Sequence, residues 1–227
     1  MIERLYEKLA EVPEIDALHV VTNHKFADGF AAWARETRGR VPIHVHDDGT
    51  TTNEDRLGAI GDVRYTIQQA NLAGQDLMIV AGDNLFEFSL ADYVTWWRGK
   101  PGGSAIAVYN CPDKELVKEY AVVELADDDR VISFEEKPRE PKSTLAAIAT
   151  YIYRAEHAAL IQTYLGEGNS ADQPGKLVAW LHTRQPVYGY RFPGEWLDIG
   201  NHEQLLDADN RWRKREGMPT RATYSLD

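Results

Sequence analysis

The chain has 227 residues, of which 43% are hydrophobic and 27% charged, and its formal net charge is −11. This composition is typical of a globular protein with one sizeable core, so we expect a single domain over residues 1–227. The acidic balance argues against nucleic acid and anionic membranes as partners, because both bind basic surfaces. With Cys111 as the only cysteine and no apolar run near the ~18 residues of a membrane span, a cytoplasmic protein without disulfides is expected.

Helix and strand signals alternate through the first half of the chain. Helical spacing over 2–9 is followed by a strand over 17–22, a helix up to Gly39 and a strand over 41–45. After a helix over 63–70, the apolar run DLMIVAGDN of residues 76–84 predicts a buried strand that ends in a tight turn, and a helix over 90–97 follows. The alternation predicts a parallel sheet with helices on both faces.

The second half of the chain changes character. Strands are predicted over 104–109, 120–125, 130–134, 145–153 and 187–192, and helices over 155–165, 176–182 and 202–214. The run Asp127-Asp128-Asp129 predicts the tip of a hairpin, and residues 196–200 predict a turn before the last helix. The pattern favours one sheet with a small antiparallel insertion.

Acidic or mixed polar clusters close three separate elements: Gly82-Asp83-Asn84, residues 135–138 (EEKP) and residues 196–201 (WLDIGN). Magnesium is bound by one or two carboxylates together with phosphate oxygens and water, so two aspartates from distant strand ends fit such a site. Lys137 offers a point charge for a phosphate. Each cluster also has a structural alternative: Asp83 as a turn residue, Asp198 beside a capped helix, and Glu136 with Lys137 as a solvated pair.

The ordered set of motifs resembles the sugar nucleotidyltransferases, in particular the glucose-1-phosphate thymidylyltransferase-like and uridylyltransferase-like proteins. The segments that carry the resemblance are residues 21–26 (VTNHKF), 55–61 (DRLGAIG), 82–84 (GDN), 134–138 (FEEKP) and 196–200 (WLDIG). The resemblance implies an α/β, three-layer Rossmann-like fold with a mostly parallel sheet and a small antiparallel insertion.

The resemblance also implies roles for individual residues. Asp83 and Asp198 would hold Mg²⁺ on the nucleotide and sugar phosphates, and Lys137 would neutralise the sugar-1-phosphate. Glu136 would accept hydrogen bonds from sugar hydroxyls. Gly58 would let the backbone approach the base, and Asn84 belongs to the substrate site. The implied reaction joins a nucleoside triphosphate (dTTP or UTP) to a sugar-1-phosphate such as glucose-1-phosphate and releases pyrophosphate.

The sequence departs from the family pattern in the phosphate loop and in the sugar pocket. Met1 falls at the helix that follows the family's first strand and its Gly-x-Gly-Thr-Arg loop, so the 227 residues contain neither segment. An unpaired sheet edge would favour self-association, and a homo-oligomer is expected. Ala121 and Ala149 stand in the sugar pocket where the family usually has glycine. These departures favour an alternative function, a non-catalytic binding or oligomerisation protein (a pseudoenzyme) derived from the family.

Two other candidate sites remain as minor alternatives. His44 and His46 alternate on one strand face, with His19 and His24 nearby in the sequence, which permits a metal site but is more typical of a packed or solvated face. The Asp-x-Asp within residues 127–129 is a feature of metal-dependent glycosyltransferases, but at a hairpin tip it more often forms a solvated acidic turn.

Overall fold

The computed structural model describes residues 1–223. The helices are α1 Ile2–Ala10, α2 His24–Glu36, α3 Ala59–Gln69, α4 Leu90–Arg98, α5 Ala155–Gly166, α6 Pro174–Leu181 and α7 His202–Arg215. The strands are β1 Leu18–Thr22, β2 Ile43–Asp47, β3 Leu77–Val80, β4 Asn84–Phe86, β5 Ser104–Asn110, β6 Ala121–Leu125, β7 Val131–Glu136, β8 Leu145–Tyr153, β9 Val187–Arg191 and β10 Trp196–Asp198. Within the described residues, no helix is both long enough and apolar enough to cross a bilayer.

The main sheet has six strands and is built around the long strand β8. Strand β5 lies along one edge of β8 and continues to β9. The other edge is shared, with β3 beside the carboxyl half of β8 and β6 beside its amino half. Strands β3, β5, β6 and β9 run in one direction and β7 and β8 in the other, and the β6–β7 hairpin forms the antiparallel addition. The predicted α/β class with a mostly parallel sheet is confirmed.

Two parts of the sequence prediction are wrong in detail. The strands do not form one sheet, because β1–β2 make a separate parallel pair and β4–β10 a separate antiparallel pair. Residues 196–200 are not only a turn, since Trp196–Asp198 is strand β10, aligned with Asn84–Phe86. A strand of three residues shows no periodicity, and its partner lies more than 100 positions away in the chain, so neither signal was available locally.

Helices cover both faces of the sheet and bury two apolar clusters. On one face, Leu77 and Ile79 of β3 pack with apolar residues of α3, α5 and α6. On the other face, Met78 and Val80 pack with residues of α1 and α4. Successive side chains of a strand point to opposite faces, so a strand with four consecutive apolar residues is suited to this position between two helical layers. The architecture therefore has three layers.

Candidate functional site

The turn after β3 and the β4–β10 ladder bring Asp83 and Asp198 together. The ladder aligns Asp198 with Asn84, and the backbone N–H of Ile199 donates to the carbonyl of Asp83 at 3.0 Å. The buried Asn84 side chain donates to Asp83 Oδ1 at 2.9 Å and accepts from Trp196 Nε1 at 2.6 Å. Asn84 therefore fixes the two motifs to each other through both ends of its amide group.

The electrostatics of Asp198 reflect this assembly. Burial raises the pKa of the Asp198 carboxyl, the nearby negative charge of Asp83 raises it further, and Lys137 lowers it. The two carboxylates are thus close enough to repel each other, and a cation between them would relieve that repulsion. Three residues that the sequence assigned to different motifs share one electrostatic environment.

A cavity of about 260 Å³ lies beside Asp198. The predicted site residues that line it are Asn84, Ala121, Glu136, Lys137, Ala149 and Asp198. The structure therefore brings together most of the set singled out from the sequence. Asp83 is joined to this wall by its hydrogen bond from Asn84.

Lys137 has a backbone conformation that side-chain-bearing residues rarely adopt. Its φ is 46°, in the left-handed region, and its N–H donates to the carbonyl of Tyr120 at 3.1 Å. Such a conformation costs of order 1 kcal/mol and is concentrated at functional sites. The left-handed conformation of Lys137 follows the last residue of strand β7, Glu136, and both residues line the cavity.

Glu136 is held against helix α6 at the cavity wall. Burial raises the pKa of its carboxyl, and the charges of Lys137 and Lys176 lower it. A Cβ atom added at Gly175 would lie 2.5 Å from Glu136 Oε2, so the glycine leaves room for the carboxylate. Sequence reasoning missed Gly175 and Lys176, and the only local signal was their place at the start of a predicted helix.

Gly58 lies at the amino end of α3 with a φ of 78°. A Cβ atom there would come within 2.7 Å of the carbonyl oxygen of Ala171, which accepts a hydrogen bond from Ile60 N at 2.7 Å. The close backbone approach that Gly58 permits in this structure is therefore that of the chain itself. Asp172, the next residue, lines the cavity and forms a 2.9 Å ion pair with Arg56.

Tyr120 is a further residue that the sequence did not assign to the site. It lines the cavity and packs edge-on against Trp196 with ring centroids 4.8 Å apart. Burial raises the pKa of its hydroxyl, and the negative charge of Asp198 raises it further. A neutral phenol at this wall supplies one hydrogen-bond donor and an aromatic surface for a polar ligand with an apolar face.

The residues fit a divalent metal that is completed by a ligand. Within residues 1–223, no group of three or more His, Cys, Asp or Glu side chains forms a ready-made metal site. Magnesium does not require one, because one or two carboxylates with substrate phosphates and waters complete its octahedron. Asp83 and Asp198 would supply the carboxylates, and the shift in the Asp198 pKa indicates that their charges interact.

In the two minor candidate sites, the histidine group and the Asp127-Asp128-Asp129 turn, side chains contact neighbouring residues of the chain. His19 Nδ1 and His46 Nε2 are hydrogen-bonded at 2.9 Å, and the His19 ring stacks on those of His44 and His46. At the hairpin tip, Lys100 forms a 2.8 Å ion pair with Asp129, and Asp128 Oδ1 accepts from the N–H of Arg130. These contacts account for the conformations of both groups.

Comparisons with known proteins agree with the architecture. A family model described as nucleotidyl transferase matches residues 1–215. A glucose-1-phosphate adenylyltransferase from Clostridium acetobutylicum is 26% identical over 175 residues, which are 74% of this chain and 44% of that protein. One from Desulforamulus reducens is 30% identical over 139 residues, which are 59% of this chain and 34% of that protein. The chain thus spans less than half the length of these curated relatives.

The fold also matches a solved structure. A crystal structure from Bacillus anthracis, described as a glucose-1-phosphate thymidylyltransferase in complex with sucrose, superposes with a TM-score of 0.73 at 19% identity. The match covers 93% of this chain and 82% of that one, and at this identity it bears on the fold alone. The family model spans nearly all of the chain, and three of the sequence motifs (residues 82–84, 134–138 and 196–200) contribute residues to one cavity. The chain belongs to the nucleotidyl transferase family, among the sugar nucleotidyltransferases.

Proposed function

We propose that this chain transfers a nucleotidyl group from a nucleoside triphosphate to a sugar-1-phosphate such as glucose-1-phosphate, with Mg²⁺, giving a nucleotide sugar and pyrophosphate. The observation that carries the proposal is the meeting of Asp198, Lys137 and Glu136 at one cavity, with Asp83 joined to it through Asn84. The cavity volume of about 260 Å³ is adequate for a single sugar ring.

In the proposed reaction, an oxygen of the sugar-1-phosphate attacks the α-phosphorus in line, and the bond from that phosphorus to the β-phosphate bridge breaks. When bound, the metal would neutralise charge on the phosphates. Lys137 would hold the sugar phosphate by charge, and Glu136 would accept hydrogen bonds from hydroxyl groups of the ring. The chain then contributes positioning and charge compensation, without a covalent intermediate.

The similar proteins differ in the nucleotide that their names give. The two curated relatives are named adenylyltransferases, and the fold match is described as a thymidylyltransferase. The family resemblance of the sequence suggested dTTP or UTP, so ATP, dTTP and UTP are the substrates to compare. Homo-oligomerisation and a cytoplasmic location remain expectations from the sequence.

Specific observations favour the second candidate function, a non-catalytic binding protein. Four acidic residues line the cavity, namely Glu119, Glu136, Asp172 and Asp198. Among residues 1–223, the one basic residue that lines it is Lys137. A triphosphate would bring several further negative charges into this environment. The methyl groups of Ala121 and Ala149 also occupy space at the cavity wall.

Pyrophosphate release distinguishes the two functions. The chain is incubated with Mg²⁺, glucose-1-phosphate and one of the three nucleotides, beside the variants Asp83→Asn and Asp198→Asn. The proposal predicts turnover by the wild type and a loss of at least a hundredfold in each variant. Asp127→Asn, at an exposed hairpin position, is the matched control and should retain full activity. Absence of turnover from folded wild-type protein would refute the catalytic function.

A further inference from the structure

One wall of the cavity beside Asp198 is made of methyl groups. Ala121 of β6 and Ala147 of β8 are register partners, and Ala149 follows two positions further along β8. All three residues line the cavity and pack in the apolar cluster that includes Phe134, so their side chains share one face of the sheet. We call these three side chains the methyl wall. A methyl group neither donates nor accepts a hydrogen bond, so the side chains of this wall offer a ligand only apolar contact.

The polar end of the same face is at strand β7. Glu136 of β7 is the register partner of Ala121, which is paired in turn with Ala147. Neighbouring strands are about 4.8 Å apart, so Glu136 and Ala147 are the two ends of a row about 10 Å long. Helix α6 packs against the Glu136 end at Gly175, and the cavity residue Gln173 directly precedes that helix. The row therefore changes from hydrogen-bonding groups at β7 to methyl groups at β6 and β8.

The two tyrosine hydroxyl groups of the cavity are in the electrostatic environment of its carboxylates. Tyr151 lines the cavity, and the pKa of its hydroxyl is raised by burial and by the negative charge of Glu136. The pKa of the Tyr120 hydroxyl is raised by burial and by the charge of Asp198. The hydroxyl donors thus accompany the acidic groups, and the methyl wall remains the apolar part of the cavity.

The order of groups along the row determines how a sugar-1-phosphate lies in the cavity, and this step rests on the proposed function. Lys137 directly follows Glu136, and its charge acts on Asp198, so the proposed phosphate and metal positions are at the Glu136 end. Carbon 1 of the sugar is then at that end as well, with the hydroxyl on carbon 2 beside Glu136. In a hexopyranose, the exocyclic carbon 6 is the carbon farthest from carbon 1, so it extends toward the methyl wall.

We propose that the cavity is specific for a 6-deoxyhexose-1-phosphate, with carbon 6 against the methyl wall and the hydroxyl on carbon 2 bound to Glu136. A hydroxyl on carbon 6 would lose water at the wall without gaining a side-chain partner, which disfavours an ordinary hexose. A methyl group at the same place would instead gain apolar contact. The absence of one oxygen atom also leaves room for the side chains of Ala121 and Ala149.

Calorimetry in the presence of Mg²⁺ tests this specificity on the intact chain, with three sugar phosphates as probes. These are glucose-1-phosphate, 6-deoxyglucose-1-phosphate and 2-deoxyglucose-1-phosphate. We expect the 6-deoxy compound to bind about fivefold more tightly than glucose-1-phosphate, or tighter still. The 2-deoxy compound should bind about fivefold more weakly than glucose-1-phosphate, because it lacks the hydroxyl that Glu136 would accept from.

Serine substitutions in the methyl wall test the cause of the preference. Ala149→Ser and, separately, Ala147→Ser each add a hydroxyl group with little change in volume. Either variant should reduce the preference for the 6-deoxy compound over glucose-1-phosphate by about threefold or more, since the new hydroxyl can pair with one on carbon 6. Ala73→Ser, at an exposed turn, is the matched control and should keep the wild-type preference.

The possible results separate this inference from the proposed function. Binding of glucose-1-phosphate as tight as that of the 6-deoxy compound would overturn the inference and leave nucleotidyl transfer standing. An undiminished preference in both serine variants of the methyl wall would also overturn it. If none of the three sugar phosphates binds to the folded wild type, the proposed function is refuted and the inference with it.

Discussion

Asp62, in the first turn of α3, is a half-buried acidic group whose ionisation lowers the stability of the folded state. Its Oδ1 is buried with no hydrogen-bond partner within residues 1–223. Burial, the negative charge of Asp48 and a hydrogen bond to Asp48 raise the Asp62 pKa from 3.8 to about 6. The folded state therefore holds the proton more tightly than the unfolded state does.

The sign of the pH dependence follows from this raised pKa. The stabilisation from the bound proton is fully present below pH ~3.8 and is lost as the pH rises through ~6. The difference between a pKa of 3.8 and one of about 6 corresponds to about 3 kcal/mol of free energy of unfolding between the two limits. Because the carboxyl is only half-buried, solvent screening reduces this to about half, and about 1 kcal/mol should fall between pH 5 and pH 8.

Urea unfolding of the wild type and of Asp62→Asn at pH 5 and pH 8 measures this effect. We expect the variant to gain about 1 kcal/mol relative to the wild type on going from pH 5 to pH 8. Asp127→Asn, at an exposed position, is the control and should show no such pH-dependent difference. An unchanged difference between wild type and Asp62→Asn at the two pH values would refute the reasoning.

Three further substitutions test packing at the site. In urea unfolding, Gly58→Ala should lower the free energy of unfolding by about 1–3 kcal/mol more than Gly74→Ala does. Both glycines have a positive φ, but only at Gly58 would the added Cβ atom clash with backbone, at Ala171. Equal losses in the two variants would contradict this. Asn84→Ala should cost about 1–3 kcal/mol in the same assay, because it leaves a buried indole N–H without its acceptor, and an unaffected midpoint would argue against that bond. Gly175→Ala should weaken glucose-1-phosphate binding about tenfold in calorimetry and leave thermal stability nearly unchanged. The reason is that the new methyl group would displace the Glu136 carboxylate and not the backbone. Unaltered affinity would show that Glu136 does not belong to the sugar site.

Much of the fold followed from local patterns in the sequence. The strand predicted over 145–153 is observed with the same bounds, and the run around Leu77–Val80 is a strand between helical layers as expected. The helix predicted over 202–214 begins at His202, where Asn201 accepts from Gln204 N as a side-chain cap. Apolar periodicity and capping residues act over a few positions, so they can be read without tertiary information.

Contacts between distant segments could not be read in the same way. Strand β10 exists because Trp196 and Asp198 align with Phe86 and Asn84, and only the folded chain sets that register. The motif order predicted that Asp83 and Asp198 belong to one site. It did not predict that the amide of Asn84 would join them, since that depends on a side-chain geometry fixed by tertiary packing.

The most direct test of the central claim is Mn²⁺ binding, with Mn²⁺ in place of Mg²⁺, followed by electron paramagnetic resonance in the presence of a nucleoside triphosphate. If Asp83 and Asp198 jointly hold a divalent metal on the nucleotide, the wild type should bind Mn²⁺ in a nucleotide-dependent manner. Asp83→Asn and Asp198→Asn should each bind Mn²⁺ at least tenfold more weakly, and Asp127→Asn should bind it as the wild type does. Equal Mn²⁺ affinity in all four proteins would contradict the assignment of this aspartate pair as the metal site.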